Sequence, residues 1–241
     1  MCGRFTLTAD WGLVREWFFI ELAERMEMIA PRYNIAPGQD VLAVIAHEGV
    51  RRAGFLRWGM RSARGGTPLI NARAETLAER PAFRRLLERR RCLIPADGYY
   101  EWKKTVDGKK QPYRIVPTDG PLFSFAALYD TYVDEDGTRH HSCVIVTTEP
   151  NRRLAAIHDR MPAILRREDE SLWLDRTVAA PDRLLPILRP YPDEAVRAYP
   201  VASFVGNVRR DDPGCIEEIA AHDIAAAGDN AKEGEGSNGL V

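Results

Sequence analysis

Residues 91–104, RCLIPADGYYEWKK, carry the strongest architectural signal in the chain. An apolar and aromatic run broken by an Asp-Gly pair is strand composition with a turn set inside it. Working outward, QPYRIVP (111–117), LFSFAALYDTYV (122–133) and HSCVIVTTEP (141–150) have the same composition. Asp-Gly pairs at 107–108 and 136–137 stand where tight turns would join neighbouring strands. Upstream, VLAVIAH (41–47) and RAGFLRWG (52–59) add two more strands. Helical periodicity is confined to a few places. Trp11, Val14, Trp17, Phe18 and Leu22 recur near one face across 11–28. RPAFRRLLERRR (80–91) has Pro81 in a position suited to a first helical turn. Short helices are expected at 149–157, 168–175 and 181–189. The fold expected is α+β: a single domain over residues 1–219, built on an antiparallel, barrel-like β-sheet with peripheral helices. Residues 220–241, rich in Ala, Gly, Asp and Glu, are expected to form a disordered acidic tail.

Composition narrows the classes. The 241 residues, 45% hydrophobic and 29% charged, can bury a core without disulfides or metals. The start, MCGRFTLTADW, has no apolar segment behind a basic one, and no run is long enough to span a bilayer, so a cytoplasmic protein is expected. Cys2, Cys92, Cys143 and Cys215 form no CxxC pair and match no zinc spacing, so neither metal nor cofactor is expected. Cys92 and Cys143 stand in apolar runs, as buried small hydrophobes do. The net charge of −1 conceals an uneven distribution: +5 over residues 1–100 and −6 over the remainder. Arginine outnumbers lysine 29 to 5, and its planar fork of donors suits phosphate oxygens. A near-neutral chain can still carry a local basic groove.

Four segments look chemical. In MCGRF, loss of Met1 would leave Cys2 as an N-terminal 1,2-aminothiol. Its amine condenses with an aldehyde to an imine, and its thiol then closes a thiazolidine ring. With an amine near pKa 7.7–8.0 and a thiol near about 8.5, both nucleophilic forms are accessible near neutrality. PRYNIAPGQ (31–39) and LINARAETL (69–77) set Asn34 and Asn71 beside arginines, which fits polar orientation and phosphate clasping, or turn chemistry alone. PADGYYEWKK (95–104) places Glu101 between aromatics, either as a general acid/base of raised pKa or as a residue facing water by simple alternation. TTEPNRRLAAIHDRMPAIL (147–165) contains His158, near a helix end or loop before Pro162.

Taken together and in order, these segments resemble the SOS response-associated peptidase (SRAP) family, which includes the abasic-site-processing proteins. The residues that carry the resemblance are MCGRF (1–5), YNIAPGQ (33–39), RWG (57–59), NARAET (71–76), RRCLIPADGYYEW (90–102), FAALY (125–129), TTEPN (147–151) and IHDRMPAIL (157–165). The resemblance runs to about residue 208. It implies single-stranded DNA carrying an abasic site as partner, captured covalently as a thiazolidine, with Met1 removed autoproteolytically. It implies Cys2 as nucleophile, Asn71 positioning the amine and opened sugar, Glu101 as acid/base and His158 as proton shuttle. Arg4, Arg73 and Arg160 would hold phosphates, and Asn34, Pro37 and Trp58 would line the DNA groove, with Trp58 available for stacking. No metal, no cofactor and no membrane are implied. A monomer is expected, associated with the nucleoid when on DNA. One departure stands out: MRSARGGTP (60–68) lacks the Trp-bearing stretch that usually follows RWG, which puts strand-separating contacts in doubt. Two other readings compete, a Cys2–His158 thiol peptidase acting on other proteins and a non-covalent single-strand-binding module.

Overall fold

Turn chemistry and apolar runs place most strands close to where the sequence suggests. The computed structural model describes residues 2–23, 29–62 and 65–220. Its elements in order are β1 (Phe5–Leu7), α1 (Trp11–Trp17), β2 (Leu22–Ala23), β3 (Arg32–Ile35), β4 (Asp40–His47), β5 (Val50–Trp58) and β6 (Asn71–Arg73). Then come α2 (Pro81–Arg89), β7 (Arg91–Ala96), β8 (Gly98–Lys104), β9 (Lys110–Pro117), β10 (Phe123–Val133) and β11 (Arg139–Thr148). The described chain ends with β12 (Met161–Pro162), β13 (Ile164–Leu165), α3 (Arg167–Leu174), α4 (Pro181–Leu184) and β14 (Val196–Pro200).

The larger sheet closes on itself. β5, β4, β7, β10 and β11 pair in succession, and β11 pairs back onto β5 through Ser142↔Arg57 and Cys143↔Trp58. The consecutive pairs are antiparallel, as expected, but the closing pair is parallel, as are β6 on β11 and β2 on β5. The β4–β5 hairpin turns at Glu48 and Gly49, both at positive φ (52° and 80°), the twist that suits a two-residue hairpin. The smaller sheet is antiparallel throughout, ordered β14-β9-β8-β1-β3.

Residues 91–104, one run in sequence, change sheets at Asp97. β7 belongs to the closed sheet and β8 to the smaller one. The Asp97 carboxylate makes the corner, accepting from the Thr8 amide (2.5 Å), the Thr8 hydroxyl (2.6 Å), the Ala9 amide (3.1 Å), Arg114 Nη2 (3.2 Å) and the Thr6 hydroxyl. Gly98 admits Arg114 to this corner, since a Cβ there would lie 2.8 Å from its Nε. Phe5, Trp58, Tyr99, Phe123 and Phe125 fill the interior, with Phe5 5.4 Å from Trp58 and 5.9 Å from Phe125 by ring centroid. Outside this core, α3 is tied down by buried Glu170, which binds Arg51 (2.9 Å), Arg167 (3.2 Å) and the Ser124 hydroxyl (2.5 Å).

The helices depart further from expectation. The helix expected over 11–28 ends at Trp17, because Phe19 adopts a φ of 50° and the chain then pairs Leu22–Ala23 with β5; residues 24–28 lie outside the described residues. The helix expected at 149–157 is a series of turns instead. There Asn151 accepts the Leu154 amide on its side chain (2.9 Å) and the Ala155 amide on its carbonyl (2.9 Å), and Leu154 O takes both Ile157 and His158 amides. The segment 181–189 is one short helix, α4, followed by a 3-10 turn over Leu185–Ile187. The 80–91 and 168–175 helices stand as α2 and α3. The expected tail falls, beyond residue 220, outside the described residues. Among the described residues no helix is long and apolar enough to cross a membrane.

Candidate active site

Cys2 leads directly into β1, a central strand with β8 on one side and β3 on the other. The register Phe5↔Tyr99, continued by the Tyr100 amide donating to Arg4 O (3.0 Å), brings the start of the chain alongside Glu101. With Met1 still attached, Cys2 is fully buried. Burial, and then the negative charge of Glu101, push its thiol well above the ordinary range. The thiol is therefore held protonated at neutral pH while Met1 is attached.

Alternation does not turn Glu101 to water. It is only 4% exposed, and burial raises its carboxyl from 4.5 to about 7. His158 Nε2 lies 3.7 Å from Glu101 Oε2. An ion pair across this gap would raise the histidine and lower the carboxyl. Both shift the other way, each chiefly through its own burial, so desolvation outweighs pairing and Glu101 changes charge near pH 7 beside a histidine whose pKa is lowered. His158 Nδ1 accepts the Arg160 amide (3.0 Å), with Asp159 Oδ1 2.9 Å away. The pair can hold or release a proton at the pH where general acid and base catalysis are both effective.

Glu101 and His158 line a cleft of about 610 Å³ with Trp102, Lys104, Lys110, Ile157, Asp159 and Gly206, while Cys2, fully buried and not exposed to that cleft, lies within electrostatic reach of Glu101. Asn71 is placed differently. It sits on β6, where its Nδ2 donates to Ile145 O (3.4 Å) while its buried Oδ1 has no hydrogen-bond partner among the described residues. It lines a second cleft of about 680 Å³, together with Pro37, Gly38, Arg57 and Pro68. No hydrogen bond joins Asn71 to the other three among the described residues.

The expected DNA contacts divide. Arg73 is exposed on β6 and Pro37 lines the second cleft, so both are accessible. Trp58 also borders the second cleft, but its ring is fully buried against Phe5 and its Nε1 donates to Ile70 O (2.9 Å), so it presents no face for stacking. Asn34 is not a groove residue either. Its buried Nδ2 donates to Val205 O (3.0 Å), Asn207 O (3.2 Å) and Arg210 O (2.7 Å), which fastens the 205–210 segment to β3. Arg4 donates to Asn34 Oδ1 (2.7 Å), Val205 O (2.7 Å) and Gly206 O (3.0 Å), so its fork is turned to protein and not to phosphate. Arg160 grips Glu75 with both terminal nitrogens (2.8 and 2.9 Å) and also donates to Thr147 O (2.7 Å). Glu75 was the residue overlooked in NARAET: an acid two positions after Arg73 signals a partner for some arginine, but not which.

The fold and this site define a single-domain α+β protein with a buried carboxyl and a histidine set beside the strand that follows Cys2. The chain matches the model of the SOS response associated peptidase (SRAP) family over residues 1–208 and belongs to that family. It is 41% identical over 222 residues to the abasic site processing protein YoqW of Bacillus subtilis (strain 168), covering 90% of this chain and 99% of that one. It is 32% identical over 228 residues to the abasic site processing protein YedK of Escherichia coli (strain K12), covering 91% and 100%. Among solved structures, a protein from Bacteroides thetaiotaomicron superposes with a TM-score of 0.80 at 24% identity, covering 91% of this chain and all of that one, which shows the shared fold.

Proposed function

We propose that the protein processes abasic sites by capturing their ring-opened aldehyde on Cys2, in single-stranded DNA. One observation carries this reading: the residue that becomes an aminothiol on loss of Met1 is seated against a carboxyl held at about 7, itself 3.7 Å from a neutral histidine. The names of the relatives support the substrate. The chemistry follows from the two nucleophiles of one residue. The Cys2 amine adds to the aldehyde carbon, and protonated Glu101 gives its proton to the carbinolamine hydroxyl, which leaves as water. The iminium left behind, whose nitrogen keeps the amine's second hydrogen, is now electrophilic. The thiol, kept as S–H until this point, adds to the iminium carbon, and its proton passes to the Glu101 carboxylate, which restores the acid and leaves a neutral ring N–H. The sum is aldehyde plus aminothiol giving thiazolidine plus water. A thiol held protonated suits this order, because it leaves the first attack to the amine.

The same carboxyl can serve as base for hydrolysis of the Met1–Cys2 bond, by activating a water, and His158 can shuttle protons at the sugar oxygen and in crosslink reversal. The raised Cys2 thiol disfavours a Cys2–His158 thiol peptidase, which needs a thiolate at rest. Intact-mass spectrometry after incubation with abasic single-stranded DNA tests the proposal. The expected spectrum shows a chain lacking Met1 and carrying one oligonucleotide, less one water. Cys2→Ala should bind undamaged strands as before and yield no adduct; a stable adduct on that variant would sink the mechanism. An N-terminal extension ahead of Cys2 should abolish the adduct, whereas a thiol peptidase would keep its activity.

A further inference from the structure

Two cationic side chains line the Glu101–His158 cleft without a part in the chemistry above, Lys104 and Lys110. They close the β8–β9 pairing, directly opposite one another in the register. Opposed residues of an antiparallel pair project from one face, and like charges there repel, so the pairing costs stability unless something anionic lies between them. Among the described residues neither has a carboxylate partner, although Lys109, next in sequence, lies 3.7 Å from Asp107. The chain is sparing with lysine, and four of its five stand at 103, 104, 109 and 110, all on this hairpin. Meanwhile two of the three arginines that the family resemblance assigns to phosphate are turned to protein: Arg4 to carbonyls, Arg160 to Glu75.

We propose that Lys104 and Lys110 form a phosphate clamp at the mouth of the cleft, seating the backbone of a single strand so that the lesion reaches Cys2. The proposal rests on the reading of the protein as an abasic-site binder. Ammonium groups on four-carbon stems need no planar fit and read no sequence, which suits a ligand defined by a missing base. The clamp lies within the electrostatic reach of the acid–base pair: burial leads the depression of His158, and the charge of Lys110 adds to it. A phosphate seated between the lysines would offset both their mutual repulsion and that contribution.

The test uses the full chain carrying Cys2→Ala, to prevent covalent capture, and a fluorescent oligothymidylate as probe. Anisotropy titrations across a range of salt concentrations give the slope of log affinity against log salt. Each phosphate neutralised on a single strand contributes about 0.7 to that slope, so Lys104→Gln with Lys110→Gln should flatten it by about 1.4 and weaken binding at low salt. The melting temperature should hold or rise, since the opposed charges are gone. Lys104→Arg with Lys110→Arg should keep the slope. An unchanged slope and affinity in the double glutamine variant overturns the clamp and leaves DNA binding standing. No binding by the parent chain even at low salt overturns the clamp together with the reading it rests on.

Discussion

Glu101→Gln should remove a pH dependence of stability that the buried carboxyl imposes. The carboxyl is raised from 4.5 to about 7 in the folded chain by burial. A group whose folded pKa lies above its unfolded value stabilises fully below the unfolded value, and that stability is lost as pH rises through the folded one. Here the loss falls between pH 4.5 and about 7. At about 1.4 kcal/mol for each pH unit of displacement, it amounts to about 3 kcal/mol. Glutamine is neutral throughout and close in shape, so it escapes the loss. Urea unfolding of both proteins at pH 4 and pH 8 isolates the effect, because every other titrating group is common to the two. The variant should gain about 3 kcal/mol on the wild type between the two pH values. A stability difference that is the same at both would mean that Glu101 is not desolvated in the folded chain, and its assignment as an acid/base poised near neutrality would fall with it. In crosslinking assays the same variant should lose the limb of the rate profile that titrates near 7.

Other perturbations separate structural from functional roles. Trp58→Ala should cost about 3–5 kcal/mol of stability, read by urea unfolding, as a large buried aromatic does; a loss of DNA affinity without destabilisation would return Trp58 to the groove. Asn34→Ala should cost about 1–3 kcal/mol, because it strips partners from buried carbonyls, and should speed proteolysis within 205–210. Glu170→Ala leaves Arg51 buried without its carboxylate and should destabilise by about 3–5 kcal/mol; a change below 1 kcal/mol would mean α3 is held by packing alone. Glu75→Gln releases Arg160, so single-strand affinity should rise and the salt slope steepen by about 0.7, with stability changed by less than about 1 kcal/mol; weaker binding would make Glu75 a brace for Arg160 and not a competitor of phosphate.

What was legible in the sequence was what repeats locally. The long strands β4, β5, β9, β10 and β11 are apolar and aromatic runs that end near turn residues, so their existence follows from a few neighbours. β1 and β3 are three and four residues long, too brief to register, yet β1 follows directly on the Cys2 segment and β3 carries Asn34. Asp97-Gly98 was visible as a turn. That the chain changes sheets there depends on Thr6, Thr8 and Arg114, which stand far away in sequence. The same distance explains the misplaced groove residues. YNIAPGQ and RWG have polar and aromatic composition suited to DNA, but the partners that occupy Asn34 lie 171–176 residues on, and Trp58 is buried by a barrel closure between β5 and β11. Glu101 and His158 were identifiable as types. Their 3.7 Å separation, and the burial that brings Glu101 to about 7, belong to the fold.

The central position of β1 has a consequence for how the protein is made. A ribosome releases Cys2 first, but its strand has no β8 to pair with until about residue 104 has emerged. The Arg4 contacts to Val205 and Gly206 span 201 and 202 residues. At typical elongation of about 5–20 residues per second, the chain start spends roughly 10–40 seconds before those contacts can form. Glu101 cannot be desolvated beside Cys2 during about the first half of that interval, so the nascent segment carries an ordinary, solvated cysteine. Completion of the site is thereby timed to the emergence of residues 205 and 206, and a chain truncated before residue 205 should display the cysteine without the setting that arms it.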